Sequence, residues 1–158
     1  MGLGVRNFNP PAMAELRARA GLGMKELADC LGQLPPNVVA WEKGRVAPTP
    51  RHLIHIAAVL EVEPWRLTTA TPETAELADL RAWAGLTTAD AAAAAGVSRR
   101  TWSNVERGLW PLGPERARDF AEVLGVSSEA VQAAYQRVAG RHLEAAGRPG
   151  RSARRRRP

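Results

Sequence analysis

Apolar positions along this chain keep helical spacing. Val38 and Trp41, and again Trp102 and Val105, stand three apart, while Val131, Ala134, Tyr135 and Val138 form one stripe over two turns. Pro and Gly punctuate these stretches. The pattern predicts helices over residues 12–20, 24–31, 35–43 and 50–60, with a short fifth one opening at Pro64. Further helices are predicted over 72–84, 88–95, 99–107 and 114–124, followed by a longer one from Ser128. Pro11 is placed just inside the first helix, where its missing N–H costs nothing. The fold class that follows is all-α.

These helices are one plan written twice. Residues 16–62 align with residues 80–126 at a constant offset of 64 without a gap, and 15 of the 47 positions are identical. Leu16, Arg17, Gly21 and Leu22 match Leu80, Arg81, Gly85 and Leu86, and Glu42 and Gly44 match Glu106 and Gly108. Two helices crossing at a sharp angle need a tight turn with one left-handed residue, and Gly32 and Gly96 stand at that position. Ala28 and Ala92, four residues earlier, supply the small side chains such a crossing needs. On these residues the chain resembles the lambda-repressor/Cro-type (XRE-like) helix-turn-helix family, present in two tandem copies. The resemblance implies that Arg17–Glu42 and Arg81–Glu106, each 25 residues apart, are structural ion pairs between helix 1 and the end of helix 3. The alternative is that all four are solvated surface charges. Trp102 falls where the family places an apolar core residue.

The resemblance implies a helix 3 lying in the major groove of double-stranded DNA, and the two copies differ there. In the second copy Ser98 is a good N-cap, and Arg99, Arg100, Thr101, Ser103 and Asn104 offer hydrogen-bonding groups to base edges. Thr87 and Thr88 at the start of helix 2, and Arg107 at the end of helix 3, are placed for phosphate. In the first copy the corresponding stretch is Leu34, Pro35, Pro36, Asn37, Val39 and Ala40, with Asn37 alone suited to a base and Lys43 and Arg45 suited to phosphate. That surface is equally open to a reading as a protein contact. Trp65 and Trp110 are read as covering their own cores, with a contact between copies or with a partner as the alternative.

Charge changes the picture only at the C-terminus. The chain has 158 residues and a formal charge of +6, but residues 139–158 alone hold seven Arg against Glu144. The remainder is neutral, so long-range attraction to nucleic acid must come mainly from the tail. Arg154, Arg155, Arg156 and Arg157 are assigned as a non-specific phosphate clamp. The domain layout expected is a flexible lead-in over 1–10, a first helix-turn-helix domain over 11–68, a linker over 68–71, a second domain with a C-terminal helix extension over 72–146, and a disordered Arg-rich tail over 147–158.

No apolar run approaches the ~18 residues that span a bilayer, and the first residues lack signal-peptide grammar. The single cysteine, Cys30, excludes an intramolecular disulfide and a cysteine zinc cluster, and its alignment with Ala94 reads as a small buried core residue. A cytoplasmic, nucleoid-associated setting fits. His52, His55 and His142 are the only histidines, and nothing completes a metal site around them. With no phosphate-binding glycine loop and no nucleophile elbow, neither an enzymatic role nor a cofactor is expected. The function expected is a sequence-specific, DNA-binding transcriptional regulator, a repressor occupying an operator, with the second copy reading bases and the first positioning. The competing class is an adaptor or antitoxin-like module using the first copy's surface, with a protein partner or self-association.

Overall fold

In the computed structural model, which describes residues 4–146, the described residues form nine α-helices and no strand. The order is α1 (Pro10–Arg19), α2 (Met24–Leu31), α3 (Pro35–Glu42), α4 (Pro50–Val59), a 3-10 turn (Pro64–Leu67), α5 (Leu77–Trp83), α6 (Thr88–Ala94), α7 (Arg99–Glu106), α8 (Pro114–Leu124) and α9 (Ser128–Ala146). The four-arginine run, Arg154 to Arg157, lies outside the described residues.

Several helices start where a side chain satisfies a first amide. The Asn9 side chain accepts from the Ala12 amide and Thr49 from His52, with Pro10 and Pro50 at the first helical positions. Helix α3 opens with Pro35 and Pro36 and has no side-chain cap, which is tolerable because neither proline has an amide to satisfy. The turns between α2 and α3 and between α6 and α7 match. Gly32 (φ 61°) and Gly96 (φ 65°) are left-handed, and the next amides, of Gln33 and Val97, return to the carbonyls of Ala28 and Ala92.

Most boundaries fall within one or two residues of the sequence expectation, and the largest difference is at α5. The helix predicted from residue 72 begins instead at Leu77. Thr71 and Thr74 bind each other's backbone and side-chain groups in a turn, and the capping box of Glu76 and Asp79 starts the helix after it.

Two apolar clusters form. The first gathers Met13, Leu27, Val38, Trp41, Leu53, Ile56 and Leu67; the second gathers Leu77, Leu80, Ala91, Trp102, Val105, Phe120 and Val131. Ala82 belongs to the first cluster although it sits on α5, and Trp83 packs against both. The stripe expected on the last helix is packed on its own unit, with Val131, Ala134 and Val138 buried. Cys30 is exposed, contrary to expectation. It stands two residues beyond buried Ala28, about 200° further around α2 at 3.6 residues per turn, so it faces solvent.

The described part of the lead-in expected to be flexible, residues 4–9, is pinned, and the expected linker is packed. Val5 is buried and its amide donates to the Pro48 carbonyl at 2.8 Å, while Asn9 N–H donates to Leu67 O at 2.9 Å. Phe8 and Thr68 form an antiparallel bridge, and Thr68 and Ala70 of the expected linker are buried. Between the units, Asn7 Nδ2 donates to Asp79 Oδ1 at 2.7 Å and Trp83 Nε1 donates to Thr68 Oγ1 at 3.3 Å. Burial pushes the Glu76 carboxyl up, but hydrogen bonds from Arg141 and Arg6 outweigh it and hold the group below its ordinary value.

The close approach between units is at Gly85. A Cβ there would lie 2.5 Å from Ile54 Cδ1, whereas its repeat equivalent Gly21, with a similar φ (70° against 73°), has nothing within 4 Å. Substituting Gly21 by Ala is expected to cost only left-handed strain, about 1–2 kcal/mol. Gly85→Ala is expected to cost more, and Ile54→Ala in the Gly85→Ala background to recover part of the difference. Thermal unfolding of the four proteins checks this; equal midpoints for Gly21→Ala and Gly85→Ala would show that the units do not press together here.

Candidate nucleic-acid interface

Helix α7 is held by its inward face. Trp102 and Val105 are fully buried, and the Trp102 ring stacks on Phe120 with centroids 4.0 Å apart and planes inclined by 21°. The Trp102 indole N–H donates to Glu106 Oε2 at 2.6 Å. That carboxylate also receives Arg81 Nε at 2.7 Å and Nη2 at 2.9 Å, while Arg81 Nη1 donates to the Leu86 carbonyl. One guanidinium thus ties α5, the entry to α6 and the end of α7 together.

The first unit repeats the arrangement. Arg17 Nε donates to Glu42 Oε1 at 2.5 Å, Nη2 to Oε2 at 3.0 Å and Nη1 to the Leu22 carbonyl at 2.8 Å. The four side chains are between 5% and 15% exposed, which sets aside the solvated-charge alternative. The tryptophans differ. Trp41 lies tilted against His52 at 5.2 Å, and His52 Nδ1 pairs with Thr49 Oγ1, so that histidine serves packing and the start of α4.

With Trp102 and Val105 turned in, α7 presents Arg99 and Arg100 exposed and Ser103 and Asn104 partly so. Arg100, Ser103, Asn104 and Arg107 fall at the 0, 3, 4 and 7 positions of one helical face. Thr101 is committed to the helix start: its amide donates to Ser98 Oγ at 3.0 Å and its hydroxyl pairs with the same oxygen at 2.8 Å. At the start of α6, Thr87 donates its hydroxyl to Asp90 Oδ2 at 2.7 Å and receives the Asp90 amide. Hydrogen bonds from Thr87 hold the Asp90 carboxyl below its ordinary value, so a negative charge already sits at this helix start. The Thr-x-x-Asp signal of that capping box is legible at residues 87–90. Thr88 is half-buried beside Arg99 in a shared cleft.

The corresponding face of α3 is apolar. Leu34 is 71% exposed, Pro36 is exposed, and Asn37 spends an amide N–H on Gln33 Oε1 at 3.1 Å. Lys43 and Arg45 are exposed, as is Val46. Trp65 is half-buried, but Trp110 is 40% exposed beside exposed Leu109, so it covers its own core only in part. The Tyr135 hydroxyl donates to the Trp110 carbonyl at 3.1 Å, and His142 Nε2 lies 2.7 Å from the Arg107 carbonyl. Helix α9 therefore buttresses the end of α7, a role the stripe on α9 did not disclose.

The helix, left-handed glycine turn and second helix at 88–106, closed by α5 and α8, are the arrangement that decides the comparison. Residues 74–134 match the family model of a helix-turn-helix domain. The helix-turn-helix domain so matched runs from the turn before α5 into the first part of α9, and it points to DNA as the partner. No curated protein and no solved structure matches the chain. Among the described residues no helix is long and apolar enough to cross a membrane.

Because the Arg81–Glu106 pair is largely buried, losing one partner leaves the other charge without compensation. Arg81→Met is expected to destabilise by about 2–4 kcal/mol, and the Arg81→Met, Glu106→Leu double variant by less than Arg81→Met alone. Urea denaturation of the parent, the Arg81→Met and Glu106→Leu single variants and the double variant measures it; additive losses would show two independent surface charges.

Proposed function

We propose that this protein is a sequence-specific DNA-binding transcriptional regulator that acts by occupying an operator, as a repressor. The exposed face of α7 carries the proposal. Arg99, Arg100, Ser103 and Asn104 supply the groups that distinguish guanine and adenine edges, and they project from a helix whose opposite side is locked into the core. Arg107 contacts phosphate, with Thr88 at the flank. Thr87 and Thr101 act by shaping the two helix starts.

The first unit is a second lambda-repressor/Cro-type module in tandem, positioning the protein through Lys43 and Arg45 while Asn37 reads at most one base. The unit's geometry supports this, because it repeats the left-handed glycine turn and the Arg–Glu pair of the second. One chain then offers two such helices to an asymmetric site. The protein works in the cytoplasm on the nucleoid, with no enzymatic step and no cofactor, and the Arg154–Arg157 run adds salt-dependent affinity.

A second reading has its own support. Leu34 and Val46, 71% and 57% exposed, put apolar surface where a DNA reader would carry polar groups. This favours the first unit as a contact for another protein, in an adaptor or antitoxin-like role.

Selection from a random duplex library with the intact protein tests the proposal, repeated with the Arg99→Ala, Arg100→Ala, Asn104→Ala triple variant. A defined motif that disappears in the variant is expected, with about 1–3 kcal/mol of discrimination lost per two-point base contact. A motif that survives unchanged would move base reading away from α7. Absence of any motif, with function sensitive to Leu34→Ser, would favour the adaptor.

A further inference from the structure

Arg99 does not stand free at the edge of α7. It lines a cleft with Thr88 on one side and Gly4, Val5, Arg6 and Pro50 of the first unit on the other. At about 290 Å³ the cleft is smaller than the ~300–1,000 Å³ typical of small-molecule sites, so it is a flank of the surface and not a ligand cavity. Its first-unit wall is rigidly placed by the bonds of Val5 to Pro48 and of Asn7 to Asp79.

The charges on this rim are unevenly committed. Asp79 accepts from Asn7 and from the Glu76 amide, and Glu106 is taken up by Arg81 and Trp102, so both carboxylates are turned to protein donors. Glu76 is shared by two arginines, Arg6 and Arg141, so neither guanidinium has that carboxylate to itself, and with Asp79 beside it the four charges balance. The Arg6 side chain is 59% exposed, with one Nη on Glu76 at 2.7 Å. Arg51, exposed in the first turn of α4, directly follows Pro50 of the cleft wall and adds a cation next to this edge.

We infer that Arg6 and Arg51 of the first unit bind the DNA phosphates flanking the bases read by α7, so that the first unit completes the second unit's DNA surface in cis. The inference rests on the DNA reading of α7 proposed above. A strand that passes Arg99 and Thr88 also passes Arg6, which lines the same cleft, and Arg51, one residue beyond Pro50 of its wall. The contact is to backbone, so it strengthens binding on every sequence equally and carries no base preference.

Equilibrium binding of the full chain to its selected duplex and to a scrambled duplex, measured across a salt series, tests this. Arg6→Gln and Arg51→Gln should each weaken both duplexes alike, roughly five- to tenfold at 0.1 M salt, and lower the slope of log affinity against log salt by about 1. Arg6→Lys should restore the slope, which separates phosphate binding from a purely structural pairing with Glu76. Arg99→Ala should instead reduce the preference for the selected duplex. Unchanged slopes in Arg6→Gln and Arg51→Gln, with specific binding by the parent protein, would overturn this inference alone. Failure of the parent to select any duplex would overturn the DNA reading as well. Arg6→Gln that lowers the unfolding midpoint while leaving the salt slope intact would assign Arg6 to structure only and overturn its part.

Discussion

The carboxylate of Glu106 is the point on which the placement of α7 depends. It accepts three hydrogen bonds, two from Arg81 on α5 and one from the Trp102 indole on its own helix. A buried charge with fewer partners would be costly, and each missing donor would leave α7 free to rotate about its axis. Rotation matters because a helix face is only about 100° wide. A turn of that size would bring Trp102 toward solvent and carry Arg100 and Asn104 inward. The stacking of Trp102 on Phe120 closes the same restraint from the apolar side.

The first unit keeps the restraint and changes the surface. Arg17 and Glu42 reproduce the pairing nearly atom for atom, yet the helix they orient carries Leu34, Pro35 and Pro36 where the second carries Ser98, Arg99 and Arg100. Core contacts and outward groups are separate sets of side chains on a helix, so one can alter while the other stays. The units are joined by packing as well as by chain. Trp83 touches both clusters, Ile54 presses on Gly85, and the residues before α1 bond to α5. That junction makes the first unit part of the second unit's surroundings.

Much of the molecule was legible in the residues, and the misses have physical causes. Helix starts with Pro at the first positions and the glycine turns at 32 and 96 are local features, decided within a few residues. The late start of α5 came from the Thr71–Thr74 turn, whose hydroxyl bonds compete with a helix that the pattern alone would extend to Pro72. Cys30 was misplaced because alignment with an alanine says that a site is small, not that it is buried, and Ala94 is itself exposed. The commitment of Thr87 to Asp90 was readable as a capping box; its consequence for phosphate binding needed the hydrogen bonds.

By itself the sequence determined the all-helical plan, its repetition at an offset of 64 and the contrast between the polar outer positions of α7 and the apolar ones of α3. These follow from periodicity and from residue type, which are properties of short stretches and of matched positions. Only the tertiary structure decided that residues 4–9 and 68–70 are pinned, that α9 braces the end of α7, and that Arg6 stands across a cleft from Arg99. Those contacts join residues dozens of positions apart, and no local pattern encodes which distant surfaces meet. They form when packing of the two apolar clusters brings distant segments together and their polar groups find partners there.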